Sequence, residues 1–352
     1  MKGSLTFSDY KKLIKNREII TSKNAEKRIQ PSSMDLTLSN ECYELKYSFL
    51  SPTGKIRNKL KKLSIKKYNL SNGLVFKKNK TYLVRLNEKL NLNTTIKGKC
   101  NPKSSTGRLD IFCRTILDKS NEYEKIPHKY KGEMFLEVTC KSFNIKFLEG
   151  DSLNQMRLVY NNNIYLNDKD LVKLNKTKKL CFSNKKAIFE NGLKLTIDLS
   201  NDQTICAYRS KINAPLIYFS RNKYHKHQKY WEPIKSKNKS LIIKKNNFYI
   251  LKSKEKICIP PNLAGEMIPY DTGIGDFRVH YAGFFDPGFG YSMGSFAVLE
   301  LKTHEVDFII EDGQTIARIQ YEKLNKSSSM LYGKKINSNY QNQQLALSKH
   351  FY

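Results

Sequence analysis

Phe135-Leu-Glu-Val-Thr-Cys-Lys-Ser-Phe-Asn-Ile-Lys-Phe-Leu-Glu-Gly150 can be laid without a gap on Val298-Leu-Glu-Leu-Lys-Thr-His-Glu-Val-Asp-Phe-Ile-Ile-Glu-Asp-Gly313. Glu137 falls on Glu300 and Gly150 on Gly313, both 163 positions apart. Upstream, Tyr82-Leu-Val-Arg-Leu-Asn-Glu88 matches Tyr249-Ile-Leu-Lys-Ser-Lys-Glu255, and Gly98 and Pro102 match Gly265 and Pro269, at an offset of 167. Met34-Asp-Leu-Thr-Leu38 echoes Ile197-Asp-Leu-Ser-Asn201, again at 163. Several segments in the same order at nearly one offset mark an internal repeat, so two copies of one domain are expected.

Within each copy apolar residues alternate, as in Phe143, Ile145, Phe147 and in Val306, Phe308, Ile310. That is the period of a half-buried strand, and Gly, Pro, Asn and Asp punctuate the runs at turn positions. Helical periodicity is scarce. Only Asp9 to Asn16, with Ser8 as N-cap and Leu13-Ile14 as its apolar contact, reads as a short helix. The expected class is mainly β, each half a sandwich or distorted barrel. The expected division is a first domain over 1–165, an Asn- and Lys-rich connection over 166–190, a second domain over 191–326 and a polar tail over 327–352.

Hydrophobic residues at 39% and aromatics at 11% of the 352-residue chain suffice for packed cores. The formal charge of +31 raises the question of nucleic acid. The lysines, however, are scattered in pairs such as Lys61-Lys62, Lys66-Lys67 and Lys244-Lys245 and form no arginine-rich stripe, which predicts a solvated basic surface that attracts small anions and no nucleic-acid partner. Seven cysteines without a CxxC pair or Cys/His cluster argue against a zinc site or a disulfide framework and for a reducing compartment. No apolar run approaches the roughly 20 residues of a membrane span, and the N-terminus lacks a signal-peptide stretch. A soluble, cytoplasmic protein is expected. His225-Lys-His227 reads as a surface turn and Trp231 as a core residue.

Two stretches carry chemistry. Pro102-Lys-Ser-Ser-Thr-Gly-Arg108 gathers hydroxyls, a turn glycine and an arginine, which together can present backbone N–H groups, Ser104, Ser105 and a bidentate guanidinium to phosphate oxygens. Alone, such a loop is equally a plain turn. Ala282-Gly-Phe-Phe-Asp-Pro-Gly-Phe-Gly290 runs into Phe296-Ala-Val-Leu-Glu-Leu301, so a turn carrying Asp286 is followed by a strand carrying Glu300. Among apolar neighbours Glu300 would have its pKa raised by burial, toward the range useful for proton transfer; alternation equally permits it to face outward.

Gln30-Pro-Ser-Ser-Met-Asp-Leu-Thr-Leu38, Lys103-Ser-Ser-Thr-Gly-Arg108, Gly283-Phe-Phe-Asp-Pro-Gly-Phe289, Val298-Leu-Glu300, Gly313-Gln-Thr-Ile316 and the tail Tyr332-Gly-Lys-Lys-Ile-Asn-Ser-Asn-Tyr-Gln-Asn-Gln-Gln344 resemble, in order, the successive motifs of dCTP deaminases of the dUTPase superfamily. The doubled length is similar to the long, two-domain form of some bacteria. The resemblance implies two dUTPase-like distorted β-barrels (β-clip domains) in tandem, sites formed between neighbouring barrels, and a homo-oligomer with barrels in a threefold-like arrangement. It implies Glu300, Ser104 and Arg108 as catalytic residues. It implies Lys103, Ser105, Thr106, Gly107, Asp286, Val298, Leu299, Tyr332, Lys335 and Gln343 as substrate-binding residues. The family's arginine before the turn aspartate is phenylalanine here, at 284 or 285, which leaves Arg278 or His280 as candidates for that contact.

The repeat predicts how the parts are divided. At the 167 offset, Ser104, Ser105 and Arg108 become Asp271, Thr272 and Gly275, so the second loop has lost its anion chemistry; Pro127 stands in the first half where the family's turn aspartate would be. The first half is therefore expected to supply the phosphate loop and the second half the acidic side, one composite site per chain. Whether the two parts come from one chain or two stays open. The implied reaction is deamination of dCTP to dUTP and ammonia, without a zinc signature of the HxE and PCxxC type, with Mg²⁺ riding on the triphosphate and dTTP as an inhibitor. Hydrolysis of dUTP to dUMP and pyrophosphate, alone or in combination, is the alternative, and a non-enzymatic nucleotide or nucleic-acid binder the third reading.

Overall fold

The computed structural model describes residues 2–352 apart from 23, 93–94, 161–163, 184–185, 270–276, 280–282, 304 and 334–339, and apart from the side chains of 269 and 277–279. The chain is mainly β, as expected, and the repeat is visible in the sheets. In the first half a sheet runs in the order Ser64–Asn69, Leu38–Leu45, Thr81–Asn91, Lys131–Cys140, Ile111–Leu117. In the second half the same order is drawn by Trp231–Lys235, Ile205–Ser210, Phe248–Ile257, Ser295–Thr303 and Phe277–Val279. The opposing sheets also correspond: Asn154–Tyr160, Ile96–Pro102 and Lys125–Ile126 against Thr315–Lys323, Leu263–Pro269 and Phe284–Phe285.

Each half has its own apolar core, and the first reaches across the boundary to take in Trp231, Phe248 and Phe351. Trp231 is fully buried there, as expected. The strand Ile145–Phe147 of the first half pairs in parallel with Ile217–Tyr218 of the second, Ile145 opposite Ile217. All seven cysteines are free and buried.

Helices are more numerous than alternation suggested. Phe7–Lys15 is helical, but its N-cap is Thr6 and not Ser8: the Asp9 carboxylate accepts from both the Thr6 N–H and its hydroxyl at 2.9 Å, closing the first turn from the third helical position. Ile56–Leu63 forms a helix whose first N–H donates to Asp118, 62 positions away, at 2.7 Å. The expected connection contains the helix Asp168–Lys178, capped by Asn167 and pinned by the buried Leu171. His225 is not on a surface turn. It is buried, with the Tyr218 N–H donating to its Nε2 at 3.1 Å, its Nδ1 3.0 Å from the Tyr230 hydroxyl, and Phe351 packed beside it.

The halves are also joined by buried charge. Arg157, fully buried on the strand Asn154–Tyr160 of the first half, donates to the Gly265 carbonyl at 2.9 Å and the Phe285 carbonyl at 3.3 Å, and lies 3.4 Å from Glu322 and 3.5 Å from Asp286. Lys99 pairs with Glu322 at 3.3 Å and with Glu266. Charges taken from water are tolerable only when so compensated. Burial alone would raise the Glu322 carboxyl, but Arg157 and Lys99 more than offset it and hold it below the usual range.

Candidate active site

The strand Ser295–Thr303 shows why Glu300 stands where it does. Its alternate residues Ala297, Leu299 and Leu301 enter the core of the second half. Val298, Glu300 and Lys302 therefore point the other way, and that way lies the first half rather than solvent: Lys302 donates to Asp110 at 3.0 Å, just past the Ser104–Arg108 loop. Glu300 is 4% exposed, and the Arg108 Nε lies 4.0 Å from its carboxylate.

On the facing side, residues 104–107 form one helical turn after the strand that ends at Pro102. The Thr106 hydroxyl donates to the Leu153 carbonyl at 2.7 Å and anchors that turn. Arg108 is buried and held by the tail: it donates to the Ala346 carbonyl at 3.0 Å and to Gln343 Oε1 at 2.8 Å, and its guanidinium sits 3.9 Å from the Tyr340 ring centroid. Gln343 in turn donates to the Phe296 carbonyl at 2.8 Å, so it spans from the loop of one half to the acidic strand of the other.

The two segments meet within one chain, across a cavity of about 290 Å³. Of the residues expected at the site, Lys103, Ser104, Ser105, Arg108, Asp286, Val298, Glu300, Tyr332 and Gln343 line it. Thr106, Gly107 and Leu299 do not: the first two are buried within the turn and Leu299 faces the second core. Lys335 and His280 lie outside the described residues, as do Asp271, Thr272, Gly275 and the side chain of Arg278.

Electrostatics separate the carboxyls. Burial pushes Glu300 up to about 8, with Arg108 opposing the rise. Burial likewise raises Asp286 to about 6; Arg157 pulls it down and Asp35 pushes it up. The Asp286 carboxylate accepts from the Ser32 N–H at 3.2 Å, tying the acidic turn to the first half. The turn itself needs glycine: Gly290 has φ +62°, and a Cβ there would stand 2.1 Å from the Ile257 carbonyl oxygen. Tail residue Gln341 fastens it, accepting from the Gly290 N–H at 3.1 Å and donating to the Gly288 carbonyl at 3.2 Å.

Several cavity residues were not assigned from sequence. Gln30 and Asp35 lie in a quoted motif without a stated role; Gln155, Tyr340 and Lys349 also line the cavity. Arg157, also unassigned, lies behind the acidic turn, 3.5 Å from Asp286. Its only advance signal is a charge set between the apolar Met156 and Leu158. In the first half the repeat partner of Glu300, Glu137, is neutralised by Arg114 at 2.6 Å, whose guanidinium stacks 3.6 Å from the Tyr123 ring centroid.

A buried carboxyl with a raised pKa, an arginine beside it and a hydroxyl-bearing loop, set between two β-rich repeats, define a site suited to proton transfer on an anionic ligand. Residues 1–162 match the family model of the 2'-deoxycytidine 5'-triphosphate deaminase N-terminal domain, and residues 167–351 that of the C-terminal domain. The chain belongs to the 2'-deoxycytidine 5'-triphosphate deaminase family. Among solved structures 26 chains match; one, the 2'-deoxycytidine 5'-triphosphate deaminase from Agrobacterium tumefaciens, is 36% identical over 92% of this chain and 99% of its own, with a TM-score of 0.87. No curated protein sequence matches.

Proposed function

We infer that this chain is a dCTP deaminase, binding dCTP between its two halves and exchanging the cytosine 4-amino group for oxygen from water. The observation that carries this reading is the approach of Glu300 from the second half to Arg108 from the first within one cavity, in a chain whose two halves match the two domains of the family.

Ionised Glu300 takes a proton from water as the oxygen adds to C4, and passes that proton to N3. A tetrahedral carbon bearing hydroxyl and amino groups results. Glu300 then moves the hydroxyl proton to the amine; the C4–N bond breaks, ammonia leaves, and C4 becomes a carbonyl. A shuttle of this kind works best with a pKa near the working pH, which burial supplies. Ser104 and Arg108 position water and base, while Asp286, Val298, Tyr332 and Gln343 bind the nucleotide. Among the described residues no His or Cys side chain lines the cavity; such side chains are the ligands on which zinc deaminases depend. In this proposal Mg²⁺ enters on the triphosphate oxygens. A homo-oligomer with barrels in a threefold-like arrangement and inhibition by dTTP belong to the same proposal, checked by light scattering and by titrating dTTP into the assay.

Incubation with dCTP and Mg²⁺, following ammonia and nucleotides together, tests the function. Ammonia and dUTP in equal amounts are expected. Accumulation of dUMP and pyrophosphate would instead assign phosphate-bond hydrolysis, and neither product would refute the proposal.

A further inference from the structure

We propose that Lys349 is a ligand of the terminal phosphates of the nucleotide and, with Lys103, makes the cavity select a triphosphate over a monophosphate. This rests on the deaminase reading above and assigns a role to a residue that none of the recognised motifs contains.

The backbone at 349 is fixed from both sides. Its N–H donates to the Tyr340 hydroxyl at 3.2 Å, and Tyr340 is the ring beneath Arg108. The buried Ser348 hydroxyl donates to the Ser105 carbonyl at 2.8 Å, on the phosphate loop itself. His350 is 0% exposed and packs 4.7 Å from the Phe219 ring centroid. With both neighbours turned into the protein, the side chain of Lys349 is left to line the cavity.

Its electrical surroundings call for an anion. Lys103, beside it, is paired with Asp35; Lys349 has no ion-pair partner within 4.0 Å among the described residues. Burial and then Lys103 lower the pKa of Lys349, against weaker pulls from Asp35 and Asp151. Two ammonium groups sharing one close carboxylate, half out of water, form a site whose charge a polyphosphate would neutralise. In this proposal the terminal phosphates lie against the face of the cavity lined by Lys103, Asp35 and Lys349, which the ties of residues 348 and 349 to Ser105 and Tyr340 hold in place. Lysine here acts as a point charge at the end of a flexible stem, adaptable to a mobile terminal phosphate.

The test uses the full chain with Lys349→Met and Lys349→Arg. Two measurements are made: steady-state turnover of dCTP with dCMP as competing inhibitor, and the melting temperature with inorganic tripolyphosphate. Loss of one charge-assisted contact predicts roughly a ten- to hundredfold rise in the KM for dCTP in Lys349→Met. The dCMP inhibition constant should change by less than about twofold, and Lys349→Arg should recover most of the loss. Tripolyphosphate should stabilise the parent and Lys349→Arg more than Lys349→Met. Equal loss for dCTP and dCMP, or identical stabilisation of all three proteins by tripolyphosphate, overturns the inference. If the parent does not deaminate dCTP, the functional reading fails, and the tripolyphosphate comparison still decides the role of Lys349.

Discussion

Replacing Glu300 with Gln should make the protein more stable and much less active, and the gain in stability should depend on pH in a defined way. The carboxyl is buried, and its pKa lies at about 8 against an ordinary value of 4.5. Because the folded value is the higher one, the folded state holds the proton more tightly. Nothing is lost below the unfolded pKa; stability then falls as pH rises from there to about 8, where the cost levels off. A rise of roughly 3 to 4 pH units, at about 1.36 kcal/mol each, sets a ceiling of roughly 5 kcal/mol. Relaxation around the charge and water entry reduce this, so about 2–3 kcal/mol is expected. Gln has the same shape and no charge to bury. Urea unfolding of parent and Glu300→Gln at pH 5, 6, 7 and 8 should show curves that nearly coincide at pH 5 and diverge toward pH 8, with the variant the more stable. Ammonia release should fall by about 10²–10⁴-fold, the usual contribution of one positioned acid/base group, while dCTP still binds. A stability difference that is flat across this range would refute the assignment of a buried, strained carboxyl; turnover within a factor of about ten of the parent would remove Glu300 from the mechanism.

If ionised Glu300 starts the cycle, kcat/KM should rise with pH and level off above about 8. Arg108→Met removes the cation that opposes the rise, so the rising limb should move to higher pH as the rate drops; a limb that stays in place would show that Arg108 does not act on Glu300. Arg157→Met leaves Glu322 and Asp286 buried without their shared cation and should cost about 3–5 kcal/mol by denaturant titration, with Arg157→Lys losing less. Gly290→Ala should lower the melting temperature and the affinity for dCTP together, since the acidic turn must shift to free the Ile257 carbonyl; an unchanged melting curve would contradict that geometry.

The repeat, the β class and the loop and strand that meet at the cavity were legible because each is a local matter of period and residue type. Phe143, Ile145 and Phe147 alternate in sequence and all three are buried. Ser104, Arg108 and Glu300 could be singled out for the same reason. Two of the misreadings share one cause, a partner distant in sequence. The helix Ile56–Leu63 borrows its cap from Asp118. His225 is covered by Phe351 of the tail, and nothing near residue 225 announces that lid. Thr6 is the exception, since Asp9 three residues on was there to be read.

The family resemblance, read through the internal repeat, assigned phosphate recognition to the first half and acid–base work to the second, because a loop that has exchanged Ser-Ser and Arg for Asp-Thr and Gly no longer suits an anion. It could not decide between one chain and two, between an outward and an inward Glu300, or which arginine stands behind Asp286. Those answers came from the packing of one half on the other, where residues 108 and 300 approach to 4.0 Å and Arg157 reaches across to the Gly265 carbonyl. Side chains so far apart along the chain meet only when whole sheets dock, and docking depends on the summed shape and charge of two surfaces that no short stretch of sequence contains.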